Sequence, residues 1–450
     1  MSQFQLHDSY NVVVAGAGIS GVVAAISAAR EGARVLLIEC TGSIGGMLTG
    51  GRLTKPHGLV ENGIYREMLE RAKKYGGADL DVQSVGWGSY TGMFDSEVMK
   101  RVIFDMVEEE NVEILFYTKV IGTIIESSKV IGLEISVKFG NRLVLTQTVI
   151  DCTGDGDVCA LAGAEFQVGR KEDSKTQPLA SYFRLLQVDI SKLIKYIQTN
   201  KEEFHSVYIP TKPSSCKSDY SFKVHVSGFS SLIEKAKKNG FQWILPVNQI
   251  HVKSGMLEGE VNVNATRFHG NALDEKALSS ATIEIHKQVY CCYDFLKAYV
   301  PGFSKAILLE VAPTLGVRET RRIIGEYVLT GKDVLSEAIF PDSVALSKSA
   351  VDIHDPAGEG VIQKSIGRGY EIPYRCLLPR GLEGILVAGR CASVDDSAHG
   401  STRNTPSCAQ MGEAAGVACA IASKKDLSLK KIDVKEIQAV LQNRGVQVSI

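Results

Sequence analysis

Three glycines and one glutamate near the amino terminus have the types and the spacing of a turn that binds a dinucleotide. Gly16, Gly18 and Gly21 follow the apolar residues 12–15, and Glu39 ends a second apolar run. In such a turn the first glycine permits the tight bend, the second lets the backbone approach a pyrophosphate, and the third lets the next helix pack closely on the strand. The amino terminus of that helix presents unpaired N–H groups to the phosphates. An acid about 20 residues further on accepts hydrogen bonds from ribose hydroxyls, and an acid instead of an arginine favours FAD or NAD over NADP.

The elements that must position this turn form a βαβ unit. Residues 12–15 and 35–38 are apolar runs of strand length, and the alanine-rich stretch between them predicts a helix. Short β-rich runs punctuated by glycine, asparagine and serine follow, and the later three predict an antiparallel meander. The strands expected there are residues 112–116, 120–125, 130–135 and 142–145, after helical patterns at about 61–75 and 95–110.

Two further strands end in glycine-rich turns. Residues 148–153 run into the Gly-Asp-Gly-Asp sequence at 154–157, and residues 384–388 run into Gly389 and Arg390. A helix of small residues is expected at 407–421. Between about 168 and 375 the pattern changes and predicts an inserted α+β domain. Its expected elements are strands at 181–186, 242–247 and 260–266 and a helix at 274–299.

Length and composition set the broad class. A chain of 450 residues is too long for one hydrophobic core, so two or more domains are expected. Hydrophobic residues make up 44% and charged residues 22%, and the formal net charge is −1, which gives no general attraction to nucleic acid or to an anionic membrane. The ten cysteines form no CxxC pair and no His/Cys metal spacing, so no metal is expected. With no signal peptide and no run of about 18 apolar residues, the sequence predicts a cytoplasmic protein that does not enter a membrane.

The arrangement of three strand–glycine elements resembles FAD-dependent oxidoreductases that have the glutathione-reductase-like two-dinucleotide fold. Five motifs narrow the resemblance to the bacterial FAD-dependent oxidoreductase family, which is related to the flavoprotein subunits of fumarate reductase and succinate dehydrogenase. The motifs lie at residues 45–49, 150–157, 316–322, 370–375 and 387–390, and the resemblance covers about residues 10–423. It implies an α/β fold in which residues 1–167 and 376–424 form the two parts of an FAD-binding Rossmann-like domain. Residues 168–375 would then be the inserted α+β substrate domain, and 425–450 a helical tail.

The resemblance also implies which residues contact FAD. Gly389 and Arg390 would reach the ribityl and phosphate region, and Arg390 suggests a phosphate contact because fumarate reductase relatives have an acid there. Ser407 and Cys408, at the expected start of the last helix, are suited to donate backbone N–H groups to the flavin ring. The complete set of expected cofactor contacts is Gly16, Gly18, Ser20, Gly21, Glu39, Cys40, Gly45, Gly46, Met47, Val120, Thr153, Gly154, Asp155, Gly389, Arg390, Ser407 and Cys408.

Candidate catalytic residues also follow from the resemblance. His399 and Arg403 occur as His-Gly-x-x-Arg, which is similar to the segment of fumarate reductase flavoproteins whose histidine and arginine bind a substrate carboxylate. Arg318, by the same resemblance, points into the substrate cavity. The alternatives are that His399 is a hydrogen-bonded loop histidine and that Arg318 belongs to a solvated, ion-paired helix.

The function expected from these residues is an FAD-dependent dehydrogenase or reductase. It would transfer a hydride between flavin N5 and a small polar molecule that carries a carboxylate in one version of the hypothesis. A disulfide reductase is excluded because no two cysteines lie about five residues apart on the first helix. Two alternatives stay open: a flavoprotein that uses FAD for hydration or isomerisation, and a flavin-binding module that acts on RNA or on a protein. The electron partner is unknown, and a homo-oligomer is left open.

Overall fold

The computed structural model describes residues 9–85, 88–209, 224–358 and 360–450. The described α-helices are α1 (Ile19–Arg30), α2 (Gly63–Lys74), α3 (Ser96–Glu109), α4 (Asp157–Leu161), α5 (Ile190–Thr199), α6 (Ser230–Lys238), α7 (Glu275–Tyr299), α8 (Gly331–Leu335), α9 (Asp396–Thr402), α10 (Thr405–Lys425) and α11 (Val434–Asn443). The first ten described strands are β1 (Tyr10–Ala15), β2 (Val35–Ile38), β3 (Ala78–Val85), β4 (Gly88–Phe94), β5 (Glu113–Leu115), β6 (Lys119–Glu126), β7 (Lys129–Val137), β8 (Gly140–Asp151), β9 (Phe166–Val168) and β10 (Tyr182–Leu186). The remaining ones are β11 (His225–Gly228), β12 (Ile250–Ser254), β13 (Val261–Asn264), β14 (Ile307–Val311), β15 (Arg321–Ile323), β16 (Ser343–Ser347), β17 (Val351–His354), β18 (Val361–Lys364), β19 (Tyr370–Pro373) and β20 (Ile385–Val387).

A seven-stranded sheet carries the glycine turn. Its order is β5-β2-β1-β8-β7-β6, and β20 pairs with the carboxyl-terminal end of β8. Strand β1 is parallel to both β2 and β8, with Val12 opposite Val35 and Thr148. The predicted βαβ unit is therefore confirmed. Helices α1 and α10 cover one face of this sheet, where small side chains let them approach closely: a Cβ on Gly416 would lie 2.3 Å from the Ala24 carbonyl oxygen.

Strand β8 is longer than the sequence predicted. Residues 142–145 and 148–153 were expected as two strands, but one strand of 12 residues runs through both. Its first part pairs antiparallel with β7, which confirms the meander β6-β7-β8, and its second part pairs parallel with β1. The link at residues 146–147 contains no glycine or proline, and Thr146 Oγ1 donates to the Thr148 carbonyl oxygen at 2.9 Å, so the chain continues in the extended form.

A second sheet lies in the middle of the sequence, with the order β11-β12-β13-β10-β14 and antiparallel pairing throughout. Alternate residues along these strands point to opposite faces. One face packs its valines, leucines and phenylalanines with α5, α6 and α7 into a separate hydrophobic core. The other face carries polar side chains. This α+β arrangement was predicted, with one exception. Residues 242–247 form no strand, and the ring of Trp243 packs against Phe295 with the ring centroids 5.1 Å apart.

Smaller hairpins complete the described fold. Strands β3 and β4 pair with each other, as do β17 and β18, and β17 contributes polar side chains to the cavity described below. Within the described ranges no helix has the length and apolar character needed to cross a membrane.

Candidate active site

A cavity of about 460 Å³ opens where the parallel strands of the large sheet end. Its wall contains the residues that directly follow the carboxyl ends of β1, β2, β8 and β20, namely 16–20, 39–41, 152–155 and 388–390 in part. In open parallel α/β sheets this edge is where ligands bind, because the chain reverses there and leaves a crevice. The cavity then extends toward the polar face of the middle sheet, since Tyr182 and Asn264 also line it.

The glycine turn has the geometry that its spacing predicted. Gly16 has a φ of +95°, and a Cβ there would lie 2.5 Å from the Cys152 carbonyl oxygen. A Cβ on Gly21 would lie 1.8 Å from the Gly16 carbonyl oxygen, so only glycine permits the close packing of α1. A Cβ on Gly18 would meet no atom within 4 Å, and this open side of the turn lines the cavity. Ser20, at the start of α1, lines the cavity as well.

Glu39 joins the turn to the loop after β2. Its Oε2 accepts the Ala17 amide at 2.8 Å, and its Oε1 accepts the Thr41 amide and the Thr41 hydroxyl, each at 2.8 Å. Glu39 and its neighbour Cys40 line the cavity. The carboxylate is thus fixed in the cavity wall between the glycine turn and the loop after β2.

The glycine-rich loop at residues 45–51 packs against the turn. The Gly45 amide donates to the Ala17 carbonyl oxygen at 2.8 Å, and a Cβ on Gly46 would lie 2.9 Å from the Gly18 Cα. Gly46 and Met47 line the cavity, whereas Gly45 lies behind them. Val120, on β6, also lines the cavity.

The turn after β8 is closed by an ion pair. Arg390 Nη2 lies 2.7 Å from Asp155 Oδ1, and Thr320 Oγ1 donates to the same oxygen at 2.6 Å. Burial raises the pKa of Asp155, but Arg390 and Thr320 outweigh it and lower that pKa. Thr153, Gly154, Asp155, Gly389 and Arg390 all line the cavity. Arg390 thus pairs with Asp155 while lining the cavity, and its contact with a phosphate stays a prediction.

The amino terminus of α10 only partly matches the expectation. Cys408 lines the cavity, but its amide already donates to the Asn404 carbonyl oxygen at 3.0 Å, because the helix begins at Thr405 and position 408 is in its first hydrogen-bonded turn. Ser407 does not line the cavity: its hydroxyl lies 2.7 Å from that of Ser347, on β16. The Cys408 amide is thus already used within the helix, and contact of these two amides with the flavin stays a prediction.

His399 does not reach the cavity, and its predicted catalytic role is corrected here. Its side chain is fully buried on α9, and Nε2 lies 3.1 Å from the Arg390 carbonyl oxygen. Burial, and then the charges of Arg322 and Arg403, place the pKa of His399 well below its ordinary value. It is the hydrogen-bonded structural histidine that the alternative interpretation described.

Two of the predicted arginines do meet in the cavity wall. Arg318 donates to the Pro178 carbonyl oxygen, and no ion pair to it occurs among the described residues. Burial, Arg403 and Arg267 lower the pKa of Arg318 to about 9, so its guanidinium is charged at neutral pH and faces other cations. Arg403 is partly committed: Nη2 donates to the Asp352 backbone oxygen at 2.6 Å and lies 3.3 Å from its carboxylate.

Asp352 and His354, on β17, complete this end of the cavity. His354 Nε2 lies 3.4 Å from Asp352 Oδ2, while its Nδ1 is buried without a hydrogen-bond partner in the described chain. The Nε of Arg403 is also buried without a hydrogen-bond partner in the described chain. Burial opposes the charge on Asp352, but His354 and Arg403 hold its pKa well below the usual range. Buried polar atoms without a partner beside a cavity are costly unless a ligand or water completes their hydrogen bonds, so this end is built to take a polar group.

Sequence reasoning missed the contribution of the middle sheet and of His57. Tyr182 and Asn264 stand at equivalent registers on β10 and β13, and both line the cavity. The signal was available: strands β12 and β13 alternate apolar residues with His251, Lys253 and asparagines, a pattern with one apolar and one polar face. Nothing local shows, however, that the polar face is covered by the rest of the chain and not by water.

Comparison with known proteins gives a family match along most of the chain. The family model described as "FAD dependent oxidoreductase" matches residues 11–441. Digeranylgeranylglycerophospholipid reductase 1 of Methanococcoides burtonii is 29% identical over 137 residues, which are 29% of this chain and 34% of that protein. The corresponding reductase of Methanocella arvoryzae is 27% identical over 268 residues, 56% of this chain and 58% of that protein. The matches thus span a third to somewhat over half of the length of these relatives.

Two more comparisons give shorter or weaker matches. Vinyl phenol reductase of Lactiplantibacillus plantarum is 36% identical over 101 residues, 22% of this chain and 18% of that protein. Among solved structures, a geranylgeranyl bacteriochlorophyll reductase-like protein of Thermoplasma acidophilum has a TM-score of 0.49 at 12% identity, covering 98% of this chain and 84% of that one.

Proposed function

Because the chain belongs to the FAD dependent oxidoreductase family, we propose that it oxidises or reduces a small carboxylated molecule held by Arg318 and Arg403 beside its FAD. When bound, FAD supplies a centre that accepts or gives a hydride at N5. The observation that carries the proposal is the position of Arg318. It is a cation without a carboxylate partner among the described residues, in the same cavity as the glycine turn.

The described residues fit the cofactor at one end of the cavity. The open side of Gly18 leaves a space that a side chain would fill, and the first turn of α1 lies directly behind it. Backbone N–H groups at a helix amino terminus bind phosphate well, so the pyrophosphate would lie here. Glu39 would then accept hydrogen bonds from the adenosine ribose, and Val120 would contact adenine through its backbone. Thr153, Gly154 and Gly389 would close over the middle of the cofactor.

The other end of the cavity would bind and orient the substrate. Arg318 offers a planar fork that pairs with both oxygens of a carboxylate, and Arg403 still has an unpartnered Nε on the same side. Asp352 keeps Arg403 in place and contributes a negative charge that disfavours binding of a second anion nearby. A substrate carboxylate bound beside Arg318 and Arg403 would offset the repulsion between these two guanidinium groups.

The finer points of the family relation are proposals of the same kind. We infer that the large sheet belongs to a Rossmann-like domain of the glutathione-reductase type, formed by residues 1–167 and 376–424, and that the family is related to fumarate reductase flavoproteins. The parallel strands β2, β1, β8 and β20 and the long chain excursion between β8 and β20 support this division. Residues 168–375 would form the substrate domain, since they contain the separate core around α7, and residues 425–450 the helical tail.

The test is reduction or oxidation of the bound flavin by candidate acids without oxygen. Purified holoprotein is mixed with small carboxylates, one per sample, and the absorbance of oxidised flavin near 450 nm is followed; the dithionite-reduced protein is mixed with unsaturated or 2-oxo acids in the same way. We expect at least one acid to change the flavin spectrum in the wild type. The matched variants are Arg318→Met, which should lose the response while keeping FAD, and Arg368→Met, an exposed arginine on the surface, which should keep both. An unchanged response in Arg318→Met would contradict the proposal.

A further inference from the structure

A hydride transfer to or from a carboxylated molecule is accompanied by a proton, and the structure leaves His399, the histidine that the resemblance predicted to bind the carboxylate, buried away from the cavity. A different histidine occupies the wall. His57 lies in the segment between the glycine-rich loop and α2, and it lines the cavity together with Arg318, Arg403 and Asp352. We propose that His57 is the catalytic acid–base residue of this cavity, which takes a proton from the substrate during oxidation and returns it during reduction. For its reaction this inference rests on the proposed function.

The first argument is that both ring nitrogens of His57 are left unused by the described protein. His399 and His354 each use one ring nitrogen within the protein and leave Nδ1 without a partner: His399 Nε2 lies 3.1 Å from a backbone oxygen, and His354 Nε2 lies 3.4 Å from Asp352. No hydrogen bond or ion pair of the His57 ring occurs among the described residues, although the residue lies in the cavity wall and is partly exposed there. An imidazole nitrogen that faces a ligand cavity without a protein partner is available to a ligand proton.

The second argument is that His57 is nevertheless held in one orientation. Its ring stands edge-to-face on Tyr90, with centroids 5.6 Å apart and an interplanar angle of 89°. Tyr90 is 3% exposed, and Lys55 Nζ lies 3.6 Å from the centre of the same ring. Lys55 in turn lies 3.3 Å from His225 Nδ1, on β11. The imidazole is therefore positioned by packing of its ring, which leaves its nitrogens to the cavity.

Burial keeps His57 in the proton-accepting form. The groups that face it are the Lys55 and Lys253 amines, whose own pKa values burial lowers, the Arg403 guanidinium, the carboxylate Asp352, and the Tyr90 ring. The pKa of His57 is lowered to about 3: burial is the largest cause, Asp352 acts in the opposite direction, and Lys55, Lys253 and Arg403 add to the lowering. His57 is therefore a neutral imidazole at pH 7. A substrate carboxylate would offset the cations and raise this pKa toward the range where proton transfer is efficient.

The proton step balances as follows in the oxidising direction. An O–H, N–H or C–H bond of the substrate breaks, its proton bonds to the free lone pair of a His57 nitrogen, and its electron pair stays on the substrate to form the new π bond. The hydride that leaves the neighbouring carbon carries the two electrons of the oxidation, and the FAD of the family is the oxidant. In the reducing direction the protonated His57 gives the same proton to the substrate.

One experiment probes the state of His57 without any substrate. The holoprotein is treated with diethyl pyrocarbonate, which acylates neutral and accessible imidazoles, between pH 5 and 7.5, and the modified peptides are quantified by mass spectrometry. We expect His57 to react at a rate that changes less than twofold across this range relative to N-acetylhistidine, whose rate follows an ordinary imidazole pKa of about 6.5. His399 should stay unmodified. A His57 that does not react, or whose rate falls with the standard, would overturn the inference.

The second experiment uses the acid that changes the flavin spectrum. His57→Gln should slow the response at least 100-fold, since general acid–base catalysis contributes about 10²–10⁴-fold, while FAD affinity stays within twofold of the wild type. His205→Gln, at an exposed position, is the matched control and should keep the wild-type rate. Added imidazole should restore part of the rate in His57→Gln only.

The outcomes separate the two proposals. If no acid affects the wild-type flavin, the proposed function fails and the modification experiment alone decides whether His57 has the properties described. If an acid acts on the wild type and His57→Gln responds at the same rate, the role of His57 is refuted while the proposed function stands.

Discussion

Replacing Glu39 by glutamine removes a charge without changing the size of the side chain, and we predict that it weakens FAD binding about 10- to 150-fold. In the structure each carboxylate oxygen accepts an amide proton at 2.8 Å, from Ala17 and from Thr41. A glutamine has only one accepting oxygen, so its NH₂ group would face one of these two donors. The bonds that Glu39 would make to the ribose would also become neutral.

The magnitude follows from the type of bond. Hydrogen bonds to a charged group are worth about 1.5–3 kcal/mol, and each 1.4 kcal/mol is about tenfold in affinity. One such bond to the ribose therefore accounts for the range given above. A second loss, of the Ala17 or Thr41 bond, would act on the turn itself and would reduce the stability of the apoprotein by about 1 kcal/mol.

The assay is a titration of flavin-free protein with FAD, followed by the quenching of flavin fluorescence. Glu61→Gln is the matched control, because Glu61 pairs with Lys348 at the surface and does not line the cavity. We expect the control to keep the wild-type dissociation constant. A dissociation constant of Glu39→Gln within twofold of the wild type would refute the assignment of Glu39 to the cofactor.

Three further predictions follow from the packing and the ion pairs. Gly21→Ala should lower the free energy of unfolding, measured in urea, by about 1–3 kcal/mol, since its Cβ would lie 1.8 Å from a carbonyl oxygen. Gly18→Ala should keep the stability and lose FAD affinity. Equal stabilities of the two variants would contradict this prediction. Arg322→Met should cost about 3–5 kcal/mol in the same measurement because it strands the buried Glu319, and a loss below 1 kcal/mol would show the pair to be unimportant. Arg403→Met should keep FAD but abolish flavin reduction by the active acid, and stopped-flow absorbance with wild-type rates would argue against its role.

The parts of the fold that the sequence predicts correctly are those that local rules determine. The βαβ unit around the glycine turn follows from apolar periodicity and from the steric demand of Gly21, whose Cβ would meet Gly16 in the same unit. The sequence places the start of α10 within two residues of the observed start. It does not show which amides of the first turn are already used within the helix. Which N–H groups are free depends on the exact first residue, Thr405, and sequence patterns place helix ends only to within a few residues.

The catalytic end of the cavity shows why the rest could not be predicted. His399 is the first residue of a motif that resembles a substrate site, yet the position of α9 buries it against the backbone of Arg390. His57 occurs in a segment with no recognisable motif and reaches the cavity only because Tyr90, from a separate hairpin, supports its ring. Contacts between residues far apart in the sequence decide both outcomes, and a single sequence carries no record of them.

The central claim is that one cavity holds FAD against the glycine turn and places a carboxylate between Arg318 and Arg403. A crystal structure of the holoprotein soaked with the acid that changes the flavin spectrum tests it most directly. The account predicts pyrophosphate density within hydrogen-bond distance of the Gly18 side of the turn, and a carboxylate within that distance of Arg318. A cofactor lying elsewhere, or an acid bound away from Arg318, would contradict it.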